Sequence, residues 1–274
     1  MCRMFAVLSV KPSNWRKYLL DDPCSIYVQS NIDSDRLQRD GWGIGFYNGD
    51  APKVVKSDRP VYEEPEKFAS AAEDATSKAV IAHIRRASNP KKLPREKLIS
   101  IENSQPFCYG KYIFAHNGMI ALPDEVAASL GEWKMRLRGV NDSEVYFWYL
   151  LKEMENGASL PDALKSFGAL LWDLWREIGG KADQDRPYVG LNALFSDGDR
   201  LYAYCRYEKM DESKVSLCMR DQPVFQMSYL FDSKRLIVSS EKTNREEDWR
   251  TIRSGQLLTG EISGDVIELS VRHI

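Results

Sequence analysis

The chain begins Met1-Cys2-Arg3 and enters at once a compact, apolar, partly β-branched run, MFAVLSV over residues 4–10. Such a run reads as a buried strand, so the fold has to carry its own N-terminus to the edge of its interior. Met1 precedes a side chain small enough for routine methionine removal. Trimmed in that way, Cys2 holds a thiol and a free α-amine in one residue. A nucleophile then lies beside a candidate base of ordinary pKa about 7.7–8.0. The competing reading makes Cys2 an ordinary small apolar residue at the start of a strand, and the remaining motifs decide between the two.

Composition narrows the partners. Lys and Arg number 38 against 40 Asp and Glu, a net charge of −2, so there is no basic footprint for DNA or RNA. With 43% hydrophobic and 11% aromatic residues, the 274 residues are enough to fill a core. Residues 1–274 are expected to form a single domain, without linker, repeat or low-complexity tract. Cys2, Cys24, Cys108, Cys205 and Cys218 form no C-x-x-C pair and are odd in number. Neither a zinc site nor a disulfide framework is indicated, and scattered thiols suit a reducing compartment. The apolar run at the start is too short for a signal-peptide core or a membrane span. The expectation is a cytoplasmic protein with no membrane role that acts on a small molecule.

Strands are predicted over residues 4–10, 41–47, 53–56, 79–84 and 111–115, the last breaking at Asn117-Gly118. A short helix is predicted over residues 65–77. Two more follow, one opening at Asp142-Ser143, the other at Pro161 with Leu164, Phe167, Leu171, Leu174, Trp175 and Ile178 on one face. The final third reads as strands over 188–195, 200–207, 216–219, 235–239, 256–262 and 266–271, with turns at Asn48-Gly49, Asp197-Gly198 and Ser263-Gly264 in the chain as a whole. Strands at both ends with a helical pair between them indicate an α+β protein of two packed sheets with helices outside.

Beyond Cys2, three short stretches concentrate chemistry. In Ala82 to Ser88 (AHIRRAS) a buried strand delivers two arginines and a serine at its C-terminal end. A buried guanidinium needs a carboxylate, from the fold or from a ligand, and its planar fork matches a carboxylate through two parallel bonds. In Phe114 to Gly118 (FAHNG) the Asn117 amide and the Gly118 N–H are suited to converge on one oxygen, although a plain turn accounts for the same residues. Asn141 to Glu144 (NDSE) reads as a helix cap, or as an acid for a substrate ammonium.

Taken together, Met-Cys, Asp40 to Gly43 (DGWG), Ala-His-x-Arg, Asn103 to Phe107 (NSQPF), Phe-x-His-Asn-Gly and Asp-Ser-Glu resemble the class II glutamine amidotransferases. Ser239-Ser240-Glu241 and the stretch from Trp249 to Gly255 resemble that family's tail. The set spans nearly the whole chain. The resemblance implies the N-terminal-nucleophile hydrolase fold, a four-layer α-β-β-α sandwich of two mainly antiparallel sheets. It implies Cys2 as nucleophile and its α-amine as base. Arg85 and Ser88 would bind the substrate α-carboxylate, Asp142 the α-ammonium, and Asn117 with Gly118 would form the oxyanion hole. The reaction would be hydrolysis of the side-chain amide of glutamine or of a γ-glutamyl compound through a γ-glutamyl thioester, with no metal or organic cofactor. Arg86 stands where well-known members often have tryptophan, and Ser88 where threonine is commoner.

Alternatives stand beside that reading. Gly41 to Gly45 lacks the G-x-G-x-x-G spacing of a dinucleotide loop. A Cys–His hydrolase would use His116 or His83 as base. A non-catalytic relative would bind γ-glutamyl ligands or a partner protein. If ammonia is passed on, a separate ammonia-using synthase subunit would receive it, since 274 residues leave no room for a second domain.

Overall fold

The computed structural model describes residues 1–49, 51–178, 185–208 and 215–274. Its core is two antiparallel sheets laid face to face. One has seven strands in the order β11 (Arg250–Ile252), β9 (Met227–Asp232), β10 (Arg235–Ser239), β1 (Arg3–Ser13), β4 (Ser77–Ile84), β2 (Trp42–Asn48), β3 (Ala51–Ser57). The other has six, in the order β13 (Val266–His273), β12 (Gln256–Ser263), β8 (Arg200–Cys205), β7 (Tyr188–Ser196), β6 (Tyr112–Ile120), β5 (Phe107–Tyr109). The helices are α1 (Pro65–Asp74), α2 (Arg95–Leu98), α3 (Pro123–Ser129), α4 (Asp142–Glu155) and α5 (Leu160–Ile178).

Side-chain alternation assigns every layer. Met4, Ala6 and Leu8 of β1 and Ala79 and Ile81 of β4 face Ile113 and Ala115 of β6 and Leu194 of β7 in the dry space between the sheets. The odd residues Phe5 and Val7 turn the other way and pack with Phe68, Ala71 and Ala72 of α1. On the far side, Phe114 of β6 and Leu191, Ala193 and Phe195 of β7 pack under Phe147, Leu150, Phe167 and Leu171 of α4 and α5. The result is the four-layer α-β-β-α sandwich of the N-terminal-nucleophile hydrolases. β1 runs through the middle of its sheet, paired with β10 on one edge and β4 on the other, so the chain start emerges at the end of the most buried strand. Close sheet contact requires glycine in β2. A Cβ on Gly43 would stand 2.5 Å from the Gln105 carbonyl oxygen.

Three expectations are corrected. β6 does not break at Asn117-Gly118 but pairs with β7 through both residues and on to Ile120, because a straight ladder satisfies the backbone groups that a turn would free. Residues 216–219 are not a strand. The amides of Leu217 and Cys218 donate to the Glu241 carboxylate, each at 2.8 Å, and that of Met219 does so as well. A buried carboxylate takes the donors that a neighbouring strand would have used. Cys24 and Cys218 are joined in a disulfide, with Cα atoms 6.0 Å apart across 194 residues of sequence. A pair so distant leaves no spacing signal, and the cysteine pattern therefore says nothing of compartment. Among the described residues no helix is long and apolar enough to cross a membrane.

Candidate active site

Cys2 continues the even-numbered face of β1 and is buried at the mouth of the space between the sheets. Its backbone nitrogen donates to Asn117 Oδ1 at 3.0 Å, and its Sγ lies 3.4 Å from both the amide nitrogen and the carbonyl oxygen of Arg86. The sulfur therefore lies against polar backbone. Asn117 reaches it because alternation along β6 turns Asn117, like Ile113 and Ala115, towards the opposite sheet.

The same alternation turns His116 away. Its Nδ1 pairs with Ser143 Oγ at 2.8 Å and its Nε2 with the Gly190 carbonyl at 3.1 Å, on the helix side of the sheet, and burial lowers its pKa. His83 is fully buried and burial holds its pKa well below the usual value; neither ring nitrogen has a hydrogen-bond partner. No histidine is bonded to the Cys2 thiol, so the Cys–His arrangement weighed from sequence is not built here.

The segment leaving β4 is locked in place by backbone bonds. Arg85 N–H donates to the Gly41 carbonyl at 2.8 Å and Asp40 N–H to the Arg85 carbonyl at 3.0 Å. The Asp40 carboxylate accepts from Ala87 N–H at 2.8 Å and pairs with Arg95 at 2.5 Å. Arg85 is buried, and its Nη1 donates to the carbonyls of Leu98 (2.8 Å) and Asp40 (3.3 Å). Burial lowers its pKa, while the nearby Cys2, Asp40 and Asp142 oppose that change. Ser88 Oγ donates to Asp142 Oδ1 at 3.1 Å, and Asp142 Oδ2 accepts from Ile120 N–H at 2.8 Å. Asp142 is the first residue of α4; the cap is Asn141, whose side chain accepts from Ser143 N–H at 3.0 Å. Gly118 follows Asn117 where no side chain fits, since a Cβ would meet the Gly190 carbonyl oxygen at 1.8 Å. Cys2, Arg85, Ser88, Asn117, Gly118 and Asp142, drawn from four stretches, thus surround one end of the sandwich.

Sequence reading did not single out Arg3. It is fully buried, its Nε donates to the Cys2 carbonyl at 2.7 Å, and its Nη1 lies 3.8 Å from Glu241 Oε2. Glu241 lies in the Ser-Ser-Glu motif, yet nothing in that motif announces its arginine partner. The Met1 α-amine is lowered from 8.0 to about 5, chiefly by burial; Cys2 and Asp40 oppose the change, and Arg3 and Arg86 contribute to it. Met1, Arg3 and Arg86 border a cavity of about 350 Å³. Larger clefts of about 520, 470 and 390 Å³ open at the Gly49 and Gly198 turns, beside Trp148 and beside Trp15, and none of the four spaces is lined by Cys2, Arg85 or Asn117.

A fold that seats a near-terminal cysteine among these polar groups defines an N-terminal-nucleophile type of amidohydrolase. The sequence profile described as class-II glutamine amidotransferases matches residues 27–272, and the chain belongs to that family. It is 29% identical over 228 residues to the Escherichia coli protein YafJ, a glutamine amidotransferase by name, covering 81% of this chain and 79% of YafJ. It is 31% identical over 125 residues to the gamma-glutamyl-hercynylcysteine sulfoxide hydrolase of Mycolicibacterium smegmatis, covering 44% of this chain and 52% of that protein. The solved glutamine aminotransferase class-II domain protein of Silicibacter pomeroyi superposes with a TM-score of 0.62 at 20% identity, over 99% of both chains, and shares the fold.

Proposed function

We propose that, once Met1 is removed, the chain hydrolyses the side-chain amide of glutamine or of a γ-glutamyl compound through a thioester on Cys2. The reading rests on the 3.0 Å bond between the Cys2 nitrogen and Asn117 Oδ1. That nitrogen becomes the α-amine after trimming. With Oδ1 engaged by the amine, the Asn117 side chain keeps its NH₂ for the substrate carbonyl oxygen, with Gly118 N–H as second donor. The amine takes the thiol proton as Sγ attacks the carbonyl carbon (Cδ) of the side-chain amide. It returns the proton to the leaving nitrogen as the carbon–nitrogen bond breaks. Water then attacks the thioester, glutamate leaves, and the thiol is restored.

Arg85 anchors the substrate α-carboxylate, assisted by Ser88, and Asp142 takes the α-ammonium. Arg85 sits on backbone bonded to Gly41 and Asp40, Asp142 opens α4, and Ser88 Oγ is held by Asp142, all independently of any ligand, so binding costs little reorganisation. A buried, electropositive position also favours an amine that is unprotonated at neutral pH, as a base must be.

Intact mass spectrometry before and after treatment with a glutamine-mimicking diazoketone tests the proposal. The expected result is loss of Met1 and a single adduct on Cys2. An adduct on another residue, or full activity in protein that keeps Met1, would overturn it.

A further inference from the structure

The cavity beside the chain start contains charge that binding of the glutamyl head does not use. Its lining combines apolar Leu217, Val224 and Phe225 with the arginines Arg3, Arg36 and Arg86. Two of these arginines have acids. Arg36 is fixed to Asp33 at 2.7 Å and Arg3 faces Glu241 at 3.8 Å. Arg86 has a single long bond, 3.4 Å from its Nη2 to the Asp35 backbone carbonyl, and among the described residues no carboxylate pairs with it. The cavity lining also holds unmet hydrogen-bonding capacity. Arg3 Nη1 and Nη2 and Gln38 Oε1, all buried, have no hydrogen-bond partner. Groups so left are costly unless a ligand or water completes them.

Position gives the cavity its meaning. Met1 lines it and is joined to the Cys2 nitrogen, so removal of Met1 extends the cavity towards that nitrogen, although Cys2 is not itself part of its lining. On the reading above, Arg85, Ser88 and Asp142 take the other end of the substrate. Resting on the γ-glutamyl reading above, we propose that this cavity is the leaving-amine subsite and that Arg86 binds a carboxylate there. The preferred substrates are then γ-glutamyl amides of apolar amino acids, not glutamine with its bare ammonia. At about 350 Å³ the space is within the range of small-ligand pockets. Its apolar wall suits a hydrophobic side chain, and its uncommitted guanidinium suits the carboxylate on the same amine. The balance is simple. Water and the γ-glutamyl amide give glutamate and the free amino acid, with no other reactant. Arg3 and Arg86, which both lower the Met1 amine pKa, place positive potential at the same spot.

The test compares γ-glutamyl-phenylalanine with γ-glutamyl-phenethylamide, which differ only in the carboxylate on the leaving amine. The wild-type, Met1-free protein is expected to favour the former in kcat/KM by about tenfold or more, the effect of one charge-assisted hydrogen bond. In Arg86→Gln the preference is expected to collapse to about twofold or less. Equal rates for the two compounds in the wild type, or a preference that survives Arg86→Gln, would overturn the subsite. If glutamine is still hydrolysed and Cys2 still labelled in that event, the γ-glutamyl reading stands and the subsite alone falls. If neither dipeptide analogue nor glutamine is cleaved and Cys2 resists the diazoketone, both fall together.

Discussion

The two sides of Cys2 are built in opposite ways. On the Arg85–Asp142 side each polar group already has a partner within the protein: Ser88 on Asp142, Ile120 N–H on Asp142, Leu98 and Asp40 carbonyls on Arg85. On the Arg3–Arg86 side, donors and an acceptor are buried without hydrogen bonds and, among the described residues, a guanidinium lacks an acid. On the proposed reading, the first side would hold a fixed shape for the glutamyl head. The second would stay electrostatically open for an occupant chosen by its own charge. Preorganisation would then serve the common half of the substrate, and residual charge the variable half.

Substitution of the nucleophile divides the two sides most sharply. Cys2→Ala is expected to lower kcat by about 10⁴-fold or more, while glutamine still binds, as calorimetry on the variant would read. Lost binding would show that the sulfur holds the glutamyl side together. Next in size is Asn117→Ala, which removes an oxyanion donor and the acceptor of the Cys2 nitrogen. A fall of about 10²–10³-fold in kcat with little change in KM is expected from steady-state kinetics. An equal loss through KM would reassign Asn117 to substrate binding.

Glu241→Ala should act on stability instead. It strands the buried Arg3 and frees three loop amides, and breaking a buried pair costs about 3–5 kcal/mol. For a chain of this size that corresponds to a melting temperature lower by roughly 6–20 °C, measured by scanning calorimetry. A smaller effect is expected of Asp142→Asn. It should raise KM for glutamine by about 10–100-fold through the lost ammonium contact, with kcat affected much less. If kcat falls instead, Asp142 belongs with the reacting atoms and the glutamyl side is not a passive clamp.

This contrast also governs what the chain revealed before it was folded. Cys2, Arg85, Asn117 and Asp142 could be proposed from sequence because each sits in a short motif whose residue types match one piece of a zwitterionic amide. The α-β-β-α layering was readable because period-2 and helical patterns separate cleanly along the chain. Arg3 and Glu241 were not readable as a pair, since a charged residue at the end of a strand looks solvated until the fold brings in a partner from across 237 intervening residues. The loop around Cys218 was misread for a related cause. Ser216 to Met219 has the composition of a strand, but its amides are claimed by one buried carboxylate and its thiol by Cys24. Local sequence cannot register a long-range acceptor. β6 failed in the other direction: Asn-Gly is a turn signal, yet here the glycine is needed because the β7 backbone passes where a Cβ would stand.

The pH profile gives the finest test of the difference between the sides, because Arg3 and Arg86 are cations that lower the pKa of the Met1 amine. For the Met1 α-amine the depression to about 5 is led by burial, with Arg3 and Arg86 adding to it. After trimming, the Cys2 amine occupies the neighbouring position and its pKa is expected to be lowered by the same causes. A base works unprotonated, so kcat/KM should fall as pH drops through that lowered pKa, placing the acid limb below the ordinary range of an exposed α-amine. Arg86→Gln removes a positive neighbour, stabilises the ammonium form, and should move the limb to higher pH. Ser88→Ala, on the closed side, removes no charge and should leave the limb where it is. Measured as kcat/KM for glutamine, an unmoved limb in Arg86→Gln would mean that the guanidinium points away from the amine. A limb shifted equally by Ser88→Ala would mean that the two sides of Cys2 share one electrostatic environment.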